Sequence, residues 1–179
     1  SHTSGLPDML PENTELRKKH APLDEYVRLG LKTPLLFAPG AKWGYSSTGI
    51  LLATEIARRI DGRPIAKLLE DEIFRPLGMK NTVLGLGKFR LEDMVRSQTE
   101  YAPSDLGGAQ GTSEWDWNSR YWRSLGAPWG GAHSTASDIA VFLRLFLEPK
   151  DGVLSRTTLE RMVQNQNEAG VQPYGIGWS

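Results

Sequence analysis

Tyr45 stands directly ahead of three hydroxyl residues, Ser46, Ser47 and Thr48, where a loop rich in glycine gives way to an apolar-periodic run ending near Ile60. If that run is a helix, its first turn carries peptide N–H groups with no partner inside the helix, and the positive end of the helix dipole faces the phenol. Such a setting favours phenolate over phenol, and a phenolate there is a base able to take a proton from a hydroxyl nucleophile. The same residues permit a plainer role, which taken alone they favour: a half-buried aromatic that staples the loop to the helix. Other chemistries have less to rest on. With no cysteine in the chain, thiol nucleophiles, disulfides and thiolate metal sites are excluded. His2, His20 and His133 lack the mutual spacing of zinc ligand pairs, so no metal is expected, and His2 reads as a hydrogen-bonding loop histidine. Gly85-Leu86-Gly87 lacks the third glycine and the following helix that a dinucleotide would need, and no cofactor is implied.

The element that must position Tyr45 is the run itself. Ile50, Ala53, Ala57 and Ile60 fall at one-face helical spacing with Ile56 beside them, which predicts that this face is buried. Ser46, Ser47 or Thr48 can cap the helix, and Gly62 can stop it. Before it, Pro22 to about Leu31 predicts a short helix with Tyr26, Val27 and Leu31 inward, ended by Thr33-Pro34. Leu35 to Phe37 are expected to pack beneath the Tyr45 loop. After it, Pro64 opens a helix with an apolar stripe of Ile65, Leu68, Leu69 and Ile73, which Pro76 is expected to stop.

Residues 83–130 show no clear period and hold Tyr101, Trp115, Trp117, Tyr121, Trp122 and Trp129. Their better reading is a small aromatic core that holds loops together. Thr135 and Asp138 form a capping-box pattern before a helix to Leu147 that is apolar on more than one side: Ile139, Phe142, Leu143 and Phe146 share a face, yet Val141 and Leu145 are apolar too. Asp151-Gly152 turns the chain. Ser155 caps a last helix with Leu159, Met162 and Val163 inside, and Tyr174-Gly175-Ile176-Gly177-Trp178 alternates in the manner of a strand.

Charge is balanced, 21 basic against 21 acidic residues over 179, so neither a broad basic surface for nucleic acid nor an acidic tail is indicated. The Arg17-Lys18-Lys19 cluster reads as a solvated face. Apolar runs fall far short of the roughly 20 residues that span a bilayer. The length suits one domain, and no repeat or interior linker divides it.

Five blocks in one order, HTSGLPD at 2–8, PGAKWGYSSTGILL at 39–52, IFRPLGMKNT at 73–82, GGAHSTASDIAVFL at 130–143 and YGIGW at 174–178, resemble the serine β-lactamase and penicillin-binding-protein-like hydrolases, in the branch of the class C β-lactamases and related esterases and peptidases. The resemblance implies an acyl-enzyme mechanism in which a Ser-x-x-Lys serine attacks an acyl carbonyl, a Tyr-x-Asn tyrosine helps to move its proton, and a Lys/His-x-Gly strand flanks the pocket. It places Tyr45 at the base position and Ser47 where the family usually has asparagine, so both are its candidate catalytic residues. Neither a Ser-x-x-Lys nor a strand after YGIGW occurs in the sequence. The elements read above give a mainly α fold, about five helices with one or two short strands, and the resemblance implies that it is the helical lobe of a larger α+β domain, inactive by itself, with flanking parts of the parent missing.

An apolar face is expected where a sheet would lie, with self-association one way to cover it. The implied partner is a small acyl substrate, a β-lactam, D-peptide or ester. A periplasmic or secreted bacterial location is the one such an enzyme would have. The competing reading is a non-catalytic binding domain that reuses the scaffold, with its tryptophans as contact surface.

Overall fold

The computed structural model describes residues 1–98, 114–150 and 152–179, so Tyr101, part of the long middle and Asp151 lie outside the described residues. Two short helices, α1 (Asn13–Lys18) and α2 (Leu23–Gly30), precede the long helix α3 (Ser47–Asp61). Helix α4 (Ile65–Leu69) runs through a π-helical turn, Glu70–Phe74, into α5 (Arg75–Leu77). Strand β1 (Val83–Leu84), helix α6 (Arg120–Leu125), strand β2 (Ala132–His133), helix α7 (Ala136–Leu147) and helix α8 (Arg156–Val163) follow. The fold is mainly α, as expected. Its two short strands pair antiparallel, Val83 against His133 and Leu84 against Ala132.

The core around α3 joins Leu10, Leu16, Ala21, Tyr26, Val27 and Leu51, with Trp129 packed against it. Helix α3 is capped by Ser46, whose side chain accepts from the Gly49 N–H, and it ends at Gly62 in the left-handed region. Its rotation departs from the expected one. The buried residues are Ser47, Thr48, Leu51 and Glu55, while Ile50, Ile56 and Ile60 are exposed. The hydrogen bonds at its N-terminus, described below, turn Ser47 and Thr48 inward, and Leu51 and Glu55 follow at helical spacing. Glu55 tolerates burial because Arg58 and Arg59 both donate to its carboxylate.

Other expectations are corrected in the same way. Leu31 is exposed, and of Leu35 to Phe37 only the Phe37 ring is half-buried, beneath Gly44. The helix from Pro64 passes through Pro76 and stops at Gly78, whose φ of 76° ends it. A π turn is wider than an α turn, which gives the Pro76 ring room, and proline has no N–H to place. The Thr135 side chain caps α7, but Asp138 does not close a reciprocal box: its buried carboxylate accepts from the Asn81 N–H and the Thr82 hydroxyl, tying α7 to the residues before β1. In α8 Leu159 is buried and Val163 exposed. YGIGW forms no strand; Gly177 has φ 76°, and the Ile176 N–H donates to Met162 O.

Arg17 is the largest correction. It is fully buried, its guanidinium 3.9 Å from the Trp122 ring centroid and 4.5 Å from that of Trp117, and it donates twice to Trp115 O. Trp122 also meets Trp129 edge to face, so the tryptophans do build the small aromatic core, with a cation at its centre. Burial lowers the Arg17 pKa to about 10, which leaves it charged at neutral pH.

Apolar side chains also remain at the surface of α7, where Ile139, Val141, Leu143 and Leu147 are exposed. No described helix is long and apolar enough to cross a membrane.

Candidate active site

The first and second sequence blocks form one structural unit. The chain at 2–8 lies alongside 36–48, and hydrogen bonds join them at nearly every step. Leu36, Gly40 and Gly44 donate N–H groups to the carbonyls of Gly5, Thr3 and His2. The Ser46 N–H donates to His2 Nδ1, and the Ser46 hydroxyl to Pro7 O. The Ser47 N–H and hydroxyl both donate to Asp8 Oδ1, at 3.0 and 2.6 Å, and the Thr48 N–H and hydroxyl both donate to Asp8 O. Gly5 is required by this approach: its φ is 80°, and a Cβ there would sit 2.1 Å from Phe37 O.

This geometry separates the two residues singled out from sequence. Ser47 is buried and its hydroxyl is spent on Asp8, whereas Tyr45 is half exposed, 50 % by surface. Two residues apart, they face different surroundings. The loop holds the Tyr45 ring in an aromatic group: the His2 ring lies 4.5 Å away, and His2 in turn meets Tyr174 at 5.0 Å and Trp43 at 5.9 Å. YGIGW thus contributes Tyr174 to the surroundings of Tyr45, although it makes no strand.

The N-terminal N–H groups of α3, from which a phenolate could have drawn stabilisation, already have acceptors. Ser47 and Thr48 give theirs to Asp8, and Gly49 gives its own to the Ser46 hydroxyl. What Tyr45 keeps is position, a phenol presented to solvent on a loop fixed on both sides. His2 accepts at Nδ1 as a neutral imidazole, and burial lowers its pKa against the opposing pull of Asp8. His2 is the hydrogen-bonding loop histidine expected, but the partners of His2 and Asp8 were not read from sequence. Their signal, an aspartate and a histidine bracketing a Ser-Gly turn, points to a partner only once residues 39–44 positions away are brought alongside.

His133 and His20 sit elsewhere. His133 Nε2 meets Arg123 at 3.1 Å in the β1–β2 region, and His20 stacks on Tyr121. Among the described residues neither contacts the Tyr45 loop.

Comparison with known proteins gives a consistent answer. The family model described as Beta-lactamase matches residues 1–179. A curated relative from Escherichia coli O157:H7, named as a candidate D-alanyl-D-alanine carboxypeptidase, is 25% identical over 161 residues, covering 82% of this chain and 37% of its own length. Among solved structures, the D-amino acid amidase of Ochrobactrum anthropi SV3 in complex with D-phenylalanine superposes with a TM-score of 0.70 at 30% identity, over 92% of this chain and 46% of that one. The octameric penicillin-binding protein homologue of Pyrococcus abyssi shares the fold, with a TM-score of 0.66 at 18% identity over 99% of this chain and 41% of its own. The chain thus spans less than half the length of each of these relatives. With its whole length matched by that model, the chain belongs to the Beta-lactamase family.

Proposed function

We propose that the full-length protein is a serine hydrolase that works through an acyl-enzyme on the carbonyl of a D-amino-acid amide or peptide, with Tyr45 as the base or proton shuttle. The observation that supports this most is the double-sided clamp on the Tyr45 loop, which presents a phenol to solvent at a fixed place. A loop aromatic serving only as a staple would turn its ring inward, as Phe37 does beneath Gly44. Ser47 enters this reading through Asp8, as part of the clamp. The nucleophile and its lysine are supplied from outside these residues, since no Ser-x-x-Lys occurs among them. The choice of a D-configured substrate rests on the names of the E. coli and Ochrobactrum relatives.

In this reading the chain is the helical part of a larger domain. The exposed apolar edges of α3 and α7 pack against polypeptide beyond it, or against a second copy when the chain is isolated. The test compares the full-length protein with residues 1–179 alone. Hydrolysis of D-phenylalanine amide and covalent labelling by a fluorescent penicillin and an organophosphonate are expected from the full-length protein and from neither source with the fragment. No turnover and no labelling of the full-length protein by any probe would reject the enzyme reading in favour of a binding domain.

A further inference from the structure

We propose that His2 is a positioning residue, which holds the phenol of Tyr45 by accepting the Ser46 N–H at Nδ1 while its ring lies against the Tyr45 ring. The inference rests on the reading that Tyr45 carries the proton.

Three observations support it. First, an imidazole that accepts at Nδ1 carries its proton on Nε2, so this bond exists only in one neutral tautomer. Second, His2 adopts φ 56°, a left-handed conformation uncommon for residues other than glycine, and it is held there by the Gly44 N–H on its own carbonyl. The backbone conformation thus aims the ring, and the bond from Gly44 fixes one side of the Tyr45 loop while Nδ1 fixes the other. Third, Tyr174 and Trp43 meet the ring edge to face, so it has little room to turn away. No contact of His2 with a reacting group is needed, since its action passes through residues 44–46.

Protonation of His2 would place a donor on Nδ1 opposite the Ser46 donor, and the clamp would open. The charged and titratable groups around the ring are the Asp8 carboxylate and the phenols of Tyr45 and Tyr174; Asp8 favours the imidazolium and burial opposes it.

The experiment measures kcat and KM for p-nitrophenyl acetate from acid to neutral pH in the full-length protein and its His2→Phe, His2→Asn and Tyr45→Phe variants. Phenylalanine keeps the aromatic bulk without the acceptor. Asparagine tolerates the left-handed backbone and offers Oδ1 near the place of Nδ1. The expected result is a fall in kcat of about tenfold or more in His2→Phe with KM changed less than about threefold, and recovery to within about threefold in His2→Asn. The decline of wild-type kcat below the ordinary histidine pKa of 6.5 should be lost or much reduced in His2→Asn. His2→Phe at wild-type rates, His2→Asn as slow as His2→Phe, or an unchanged acid limb in His2→Asn would each overturn the inference. If Tyr45→Phe is inactive while His2→Phe is fully active, only the positioning role fails. If Tyr45→Phe is fully active, the functional reading fails and this inference with it.

Discussion

Asp8 Oδ1 accepts both the N–H and the hydroxyl of Ser47, the latter at 2.6 Å, across 39 residues of sequence. One carboxylate thereby sets the rotation of the longest helix and the side of the loop on which Tyr45 emerges. Removing it leaves two buried donors without partners, a cost of about 1–3 kcal/mol for the unsatisfied groups. Asp8→Ala is expected to lower unfolding stability by about 2 kcal/mol in urea titrations. Asp8→Asn, which keeps an acceptor, should lose less. Equal stability of Asp8→Ala and wild type would show that the clamp adds nothing.

Two glycines of the same loop system should answer differently to alanine. Gly5 and Gly40 both have positive φ, 80° and 85°, so each substitution carries the left-handed penalty of about 1–2 kcal/mol. At Gly40 nothing lies within 4 Å of the added Cβ, while at Gly5 it meets the Phe37 carbonyl. Gly40→Ala is expected to cost about the backbone penalty alone, and Gly5→Ala to cost clearly more or to prevent folding. Similar unfolding midpoints for the two variants would contradict the close approach of residues 5 and 37.

Glu55 gives the fold an acid-sensitive element. Hydrogen bonding from Arg58, then from Arg59, outweighs desolvation and lowers its pKa from 4.5 to about 2. A depressed carboxylate pKa contributes stability that is present above the unfolded value, near 4.5, and is lost as pH falls toward about 2. Urea midpoints should therefore fall across that interval, and Glu55→Gln should flatten part of the dependence. An identical pH profile in the variant would rule Glu55 out as its source.

Arg17 tests the aromatic core. Arg17→Ala removes the cation between Trp117 and Trp122 and leaves a void beside Trp115 O, with an expected cost of about 3 kcal/mol or more. Tryptophan emission should shift to the red as water reaches the rings. Unchanged emission and stability would contradict the caged position of this residue.

What the sequence made legible was local. Caps and stops, such as Ser46, Thr135, Ser155 and Gly62, depend on neighbours within a turn, and each was found where its chemistry required it. The mainly helical class followed from apolar period. The direction each helix faces was not legible, because Ile50 and Ile60 satisfy the period as well as Leu51 does, and the choice between them is made by Asp8 from outside the helix. Arg17 was misread for a similar reason: beside two lysines it reads as solvated, and only Trp117 and Trp122, a hundred residues on, reveal a buried cation.

At the candidate site the sequence singles out Tyr45 and Ser47 but does not tell their surroundings apart. A Tyr-Ser-Ser run marks the place but cannot say which hydroxyl faces solvent. The helix N–H groups expected to stabilise a phenolate were already claimed by Asp8 and Ser46, partners that sequence spacing does not announce.

The most direct measurement is acylation of the full-length protein by a fluorescent penicillin, with D-phenylalanine amide turnover beside it, in wild type, Tyr45→Phe and Ser47→Ala, each matched to its unfolding midpoint. Tyr45→Phe is expected to lose about 100-fold or more in rate at an unchanged midpoint, while Ser47→Ala loses stability first and rate only in consequence. A Tyr45→Phe protein that reacts at the wild-type rate, or a fully stable Ser47→Ala protein that does not react, would contradict that expectation.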